Sequence, residues 1–489
     1  MTRSLAPTLF LFVLTGLGSP LAGQVEPRVF RSPDGSEFLL APTELPQIDS
    51  LIHWVVVTPS GPTQDPPGRP GLSRAVMRAS LSGTPTHGSL DWRAEQSAIA
   101  QVEAFTARVR QLELQQSSIP AEARALVQQA ERERDALSDP SRWLAEMRSA
   151  PATGIELVET AGSSLLRLTT RQEGIARVAE LVLDRRENAV LRGFRRQWRQ
   201  LLNEERRRRE GTRPALRHEA LAMATADGRI GPLPEYVSTD SPWAEARTLY
   251  RELSNPARSR HVLTGAFDID QVETQLRSAF SRSNLPQRSG EFLTIPPPAG
   301  NRRSEVRGPN SADRAAAIGI ALPDDLHPMV AEALALYLIN GSDAAIPRAF
   351  REAGYDDIRL ETQAPFPADR SPGWLLVEVI ESRDLLEPGQ ASNEKLLDLF
   401  LRLLDRALKA NGGSDRWNRA WQTARVRRAE AWADPAARAV ELATTWGSQR
   451  RPIETLFEEP ERPTIQTALQ RARALFANAP RISIGLEDA

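Results

Sequence analysis

The chain has 489 residues, with 62 lysine and arginine against 63 aspartate and glutamate, for a formal net charge of −1. That balance excludes the broad basic surface of a general nucleic-acid binder and the acidic surplus of a chain built for basic partners. Cysteine is absent, which removes disulfides, thiolate metal sites and a cysteine nucleophile together.

Residues 1–23 read as a secretory signal. Arg3 supplies the positive start, 9–17 is uncharged and mostly apolar, and Ala22 and Gly23 are small enough for cleavage. The apolar core is too short for a confident membrane span; retention as an anchor is the alternative. An exported chain without cysteine fits a bacterial periplasm. The roughly 465 residues that remain allow two or three domains.

Residues 29–40 predict strand, turn and strand, with Asp34-Gly35 as the hairpin signal. A β-branched run at 51–57 predicts a further strand. A turn-rich segment at 59–70 then leads into GLSRAVMRASLSGT at 71–84, whose first part has the pattern of a helix. Residues 91–147 are helical in pattern, interrupted at 117–120 and 138–140. With apolar spacing at Val102, Phe105, Val109 and Leu112 they predict a helical hairpin. Such a hairpin either packs on its own domain or presents an arm to a partner.

An apolar strand-like stretch follows at 154–169 and a helix at 175–185. The segment WRQLLNEERRRRE at 198–210 is another helix, with Glu204 and Glu205 adjacent and arginines at 206–209. Residues 257–280 predict a strand, then turn and cap chemistry at Gly265, Asp268 and Asp270, then an amphipathic helix. The proline, glycine, serine and asparagine content of 281–310 is that of a linker.

The second half restarts with a strand at 315–322 and a helix at 325–339. A further helix at 346–354 carries Arg351. A strand at 374–380 precedes long helices at 394–410 and 415–446, and a last helix and strand fall at 464–478 and 482–486. Trp417, Trp421, Trp432 and Trp446 are spaced as packing residues. The two halves run similar strand and helix orders.

The five histidines are His53, His87, His218, His261 and His327. No two are three or four apart, so no helix offers a histidine pair to one metal. Neither a G-x-S-x-G elbow nor a phosphate-binding glycine loop followed by lysine is present.

Gly71-Leu72-Ser73 and Gly83-Thr84 stand in ungapped register with a longer pattern, Gly-Leu-Ala-His-x-x-Glu-His followed by Gly-Thr. On these residues the chain resembles the pitrilysin/insulinase-like zinc peptidases, the family that includes the mitochondrial processing peptidases. On that register Arg74 and Arg78 stand at the two zinc-ligand positions and Met77 at the general-base position. In an H-x-x-E-H helix two histidines one turn apart reach one metal, and the glutamate polarises its water. A guanidinium stays protonated and offers no lone pair, and a thioether takes no proton, so the resemblance implies a chain without the family's own catalysis.

The helix at 198–210 resembles the family's Glu-Arg-x-Val-Val-x-x-Glu-Glu-Arg helix, which places Glu205 at the residual ligand position and Trp198 at the outer acid. Charge arithmetic then suggests that Arg74 and Arg78 pair with Glu205 in place of the metal. The family's Asn-Ala-x-Thr turn is missing near 154–169, and Arg351 matches a substrate-contacting arginine.

The resemblance implies an α+β chain of two tandem domains, each a mixed sheet with helices packed on one face. The expected boundaries are 24–288 with the helical insertion at about 91–150, a linker at 289–310, and 311–489. It also implies a non-catalytic subunit that pairs with a zinc-bearing homologue to enclose a peptide chamber, zinc residing only on the partner. The alternative is a self-associating peptide-binding or scaffold protein.

Overall fold

The computed structural model describes residues 26–43, 51–61, 64–66, 69–115, 121–160, 162–209, 212–224, 243–283, 285, 301–307, 314–322, 326–340, 344–356, 358–366, 374–381, 393–409, 413–449, 451–478 and 481–487. The expected signal segment lies outside them.

Strands β1 (Arg28–Arg31) and β2 (Glu37–Pro42) form the expected antiparallel hairpin. Its turn is closed by Ser36 N donating to Asp34 Oδ1 at 3.0 Å, and Gly35 takes a left-handed φ of 98°, which glycine reaches without steric cost. β3 (Leu51–Pro59) and α1 (Leu72–Ala79) follow. The insertion is α2 (Trp92–Gln115) and α3 (Ala121–Ala136), which bury Val102, Val109, Val127 and Ala130. It ends in α4 (Arg142–Ser149), whose Trp143 and Met147 enter the core.

The apolar stretch at 154–169 is two strands, β4 (Thr153–Glu159) and β5 (Ser163–Arg171), folded back on each other. Helices α5 (Ile175–Asn188), α6 (Phe194–Arg209), α7 (Thr212–Ala224) and α8 (Trp243–Leu253) lead to β6 (Arg260–Gly265) and α9 (Ile269–Phe280). The predicted cap is present: Gln271 N donates to Asp268 Oδ1 at 2.9 Å.

β7 (Arg302–Arg307) occupies residues that composition assigns to the linker; it is strand because it pairs in parallel with the last strand of the chain. Next come β8 (Arg314–Ala321), α10 (Pro328–Leu338), α11 (Ala345–Glu352), β9 (Ile358–Phe366), β10 (Trp374–Glu381) and α12 (Asn393–Lys409). The long helix expected at 415–446 is broken into α13 (Ser414–Ala433) and α14 (Pro435–Leu442), followed by a π-helical segment. Pro435 suits a first helical turn and would cost an internal bond elsewhere; Asp434 caps the new start by accepting from Ala436 N at 2.9 Å. α15 (Ile453–Phe457), α16 (Ile465–Asn478) and β11 (Arg481–Glu487) complete the order.

The strands make two mixed sheets, ordered β1-β2-β6-β3-β5-β4 and β7-β11-β8-β10-β9. From β2 onward the first is repeated by the second. In each, one parallel pair (β2 with β6, β7 with β11) is followed by three antiparallel neighbours.

Successive residues of a strand face opposite sides. Phe38, Leu40, Trp54, Val56 and Leu166 therefore meet α4, α5 and α9 of their own half. Leu39, Ala41, Val55, Val57 and Val262 point the other way and are covered by Trp432, Ala439, Leu442 and Trp446 of the second half. The second sheet does the converse: Ile318, Ile320, Val377 and Val379 pack on α10, α12 and α13. Ala315, Ala317, Leu376, Ile380 and Ile484 are covered by Leu216, Ala220 and Met223 of α7, from the first half. Each sheet's own helices thus lie on one face, and the other face is closed by a helix lent from the opposite half. Each fully buried aliphatic or aromatic side chain contributes about 1.5–3 kcal/mol, so both loans are substantial. Among the described residues no helix is long and apolar enough to cross a membrane.

Candidate functional site

Helix α1 is set in place by its own flanks. Asp65 Oδ2 accepts from Gly71 N at 2.5 Å and Oδ1 from Ser73 N at 2.7 Å, which satisfies donors at the helix start that lack a partner within the helix. Gly71 takes φ 86°. Ser73 Oγ donates to Gly61 O and accepts from Gly61 N, both at 2.8 Å. Burial pushes the Asp65 carboxyl up, only partly offset by the hydrogen bonds from Ser73 and Gly71 and by the charge of Arg74. The Gly-Leu-Ser sequence is therefore a structural start: a left-handed glycine, a buried leucine and a serine that ties the helix to the loop before it.

The apolar residues Leu72, Ala75, Val76, Met77 and Ala79 pack against Phe194, Trp198, Leu201 and Leu202 of α6, and against Leu249, Tyr250 and Leu253 of α8. Met77 is 2% exposed and belongs to this core. Trp198 is buried too, stacked on Phe194 at 6.5 Å between ring centroids. Arg74 and Arg78, four residues apart, are half-buried.

Arg78 sits between two carboxylates. Its Nε and Nη2 donate to the two oxygens of Glu159 at 2.6 Å each. Its Nη1 and Nη2 donate to Glu204 at 2.9 and 2.8 Å. Glu159 ends β4 and Glu204 lies on α6, so one guanidinium joins three elements. Burial works against the charge of Arg78, and the two glutamates outweigh it, holding its pKa above the usual value. The partner on α6 is Glu204, one residue before the Glu205 expected from the motif; the side chain of Glu205 lies outside the described ones. Glu159 was not foreseen as a partner. Arg351 is exposed in the last turn of α11, which packs on α10, α12 and β9 in the second half, and is not a partner of Arg78.

The Gly83-Thr84 end of the motif holds a second buried arginine. Arg192 is paired with Glu95 through Nε at 2.5 Å and Nη2 at 2.8 Å, with side-chain exposures of 1% and 0%. The same guanidinium donates to Ser82 O and Thr84 O at 3.1 Å each. A Cβ on Gly83 would lie 2.2 Å from His87 O, and one on Gly88 2.6 Å from Arg192 Nη1. These glycines are required by the close approach, and the pair fixes the start of the helical insertion against the end of α1.

The residues at the expected metal positions do not fit zinc. Arg78 presents only donors and is saturated by two carboxylates, and Met77 faces the core. Among the described residues no three histidine, aspartate or glutamate side chains converge in a way that would hold a metal ion.

No family profile and no curated protein sequence matches the chain. Solved structures do. A protease from Helicobacter pylori is 12% identical, with a TM-score of 0.68 over 94% of this chain and 99% of that one. A peptidase M16 inactive domain from Pseudomonas fluorescens is 10% identical, with a TM-score of 0.63 over 95% of this chain and 98% of that one. The periplasmic protease PqqL from Escherichia coli is 14% identical, with a TM-score of 0.59; the match takes in 100% of this chain but 49% of that one. The chain has the pitrilysin-type, M16-like fold: two α+β units, each on a mixed sheet.

Proposed function

We propose that this chain of pitrilysin-type fold is an exported, non-catalytic subunit that pairs with a zinc-bearing homologue and helps hold peptides in the chamber the two enclose. The observation that carries the reading is the state of Arg78. At the place where the motif calls for a metal ligand, a permanently charged guanidinium is locked by four hydrogen bonds to Glu159 and Glu204. A cation stands where the family's mechanism calls for one, without the Lewis acidity or the water that peptide hydrolysis needs. Likeness to an inactive M16 domain along nearly the whole of both chains is consistent with this. So is the match to about half of PqqL, a protease whose single chain has room for two units of this size. Zinc, on this reading, belongs to the partner, Glu205 is the vestige of a ligand, and Arg351 contacts substrate.

The test is affinity purification of the tagged mature chain from its own envelope fraction. Zinc content and peptide cleavage are measured on the eluate before and after the partner is stripped. Zinc and activity that leave together with a second, homologous chain support the proposal. Stoichiometric zinc on the isolated chain overturns it, and recovery of self-association alone replaces it with a scaffold role.

A further inference from the structure

A small cavity lies where β3 and β6 meet α1, α5 and α8. Its polar lining is Thr58, Arg185, Arg186, Tyr250, Ser254, Ser259 and His261. The space open to the centre of a water-sized particle is about 10 Å³, room for one small ion or one water.

The charges around it do not cancel. His261 is fully buried; burial, then the charges of Arg186 and Arg185, hold its pKa well below the ordinary range, so the ring is neutral. Its nitrogens are engaged by Trp54 Nε1 at 3.2 Å and Ser259 Oγ at 3.0 Å. Tyr250 is neutral as well, its hydroxyl donating to Arg185 O at 2.5 Å. Arg186 is compensated by a buried ion pair with Asp34.

Arg185 is different. It is 3% exposed, and its Nη1 donates to Ser80 Oγ at 2.9 Å. Its Nε is buried without a hydrogen-bond partner, and no carboxylate among the described residues forms an ion pair with it. Its carbon lies 6.0 Å from the Trp143 ring, a contact far weaker than an ion pair. The end of α5 adds only a fractional negative charge. Arginine does not neutralise itself by losing a proton, and an uncompensated buried charge is strongly unfavourable.

We propose that this cavity is a binding site for a single small monovalent inorganic anion of chloride size, held by the Arg185 guanidinium. A water would leave the charge of Arg185 uncompensated; a carboxylate or phosphate exceeds the space. The bound anion would act as a structural counter-ion joining α5 to α1 and the first sheet.

The probe is chloride, exchanged for gluconate at constant pH and ionic strength on the full mature chain. Hydrogen exchange is followed in the α5 residues 175–188. Once the site is saturated, each tenfold rise in chloride slows exchange about tenfold, the mass-action limit for one site. Arg185→Met removes that dependence. Crystals grown in bromide give an anomalous peak within hydrogen-bonding reach of Arg185, which decides the matter even where the variant fails to fold. Equal exchange in chloride and gluconate, an unchanged chloride slope in Arg185→Met, or a water at that position in bromide crystals overturns the proposal.

Discussion

Replacing Arg78 with methionine tests how α1 is held at the expected metal position. Methionine keeps most of the aliphatic stem and removes only the donors and the charge. The side-chain exposures are 20% for Arg78, 12% for Glu159 and 44% for Glu204. The Glu159 pair is therefore largely out of water, where charged hydrogen bonds contribute about 1.5–3 kcal/mol. The Glu204 pair is half in solvent and contributes under about 1 kcal/mol. Loss of the cation also leaves two carboxylates facing each other, so the total comes to about 3 kcal/mol, or roughly 100-fold in local opening. The assay is hydrogen exchange in residues 72–79, with 328–338 of the second half as an internal control. A double-mutant cycle with Glu159→Gln and Glu204→Gln apportions the loss. Acceleration under about threefold, or a coupling to Glu204 larger than that to Glu159, would refute the reasoning from burial.

Glu95→Gln leaves the Arg192 guanidinium buried without its counter-charge; about 3–5 kcal/mol is expected to be lost, read as faster exchange across 83–96. His261 carries a pH dependence of definite sign. Burial, with Arg186 and Arg185, depresses its folded pKa from 6.5, so the unfolded chain takes up a proton that the folded chain refuses. Its contribution is complete above about pH 6.5 and is lost as pH falls below that, at up to about 1.4 kcal/mol per pH unit. His261→Gln, which keeps an acceptor for Trp54, should flatten stability between pH 6.5 and 4.5 in acid-unfolding curves. Gly265 adopts φ 122°, and a Cβ there would lie 2.1 Å from Leu51 O. Gly265→Ala should therefore cost more than about 2 kcal/mol, seen as a lowered thermal midpoint.

The sequence was most legible where a local rule has one outcome. Asp34-Gly35 demands a hairpin, Asp268 a helix start, and the apolar runs at 51–57 and 374–380 become central strands. The polar edge strands β7 (RRSEVR) and β9 (IRLETQAPF) escaped, because an edge strand is defined by its neighbour rather than by its own hydrophobicity. Pro435 was visible but was read through, since helical composition continues on both sides. The four tryptophans were correctly read as packing residues, two in the second core and two at the contact between halves.

The candidate site was legible on α1 alone. The motif placed Arg74, Met77 and Arg78 on one short helix. The carboxylates that meet Arg78 come from 81 and 126 residues away, and no local pattern marks Glu159 as the one that turns inward. No local pattern marks Arg185, Arg186 or Arg192 as buried; Arg185 and Arg192 are covered where the chain closes on the end of α1, and Arg186 where it meets the β1–β2 turn and Phe280.

The helices lent between the halves also set an order of events in synthesis. Val262 completes the apolar face of the first sheet, but its cover, from Trp432 to Trp446, is translated about 170 residues later, on the order of ten to thirty seconds at ordinary elongation rates. During that interval a row of aliphatic side chains, Leu39, Val55, Val57 and Val262 among them, stands uncovered on the first sheet. A chain interrupted after the first half would carry that face permanently. It would also carry α7, which has nothing to cover until the second sheet arrives. Such a fragment is an aggregation substrate rather than a domain, so processing or truncation between the halves would remove the protein instead of releasing a functional part.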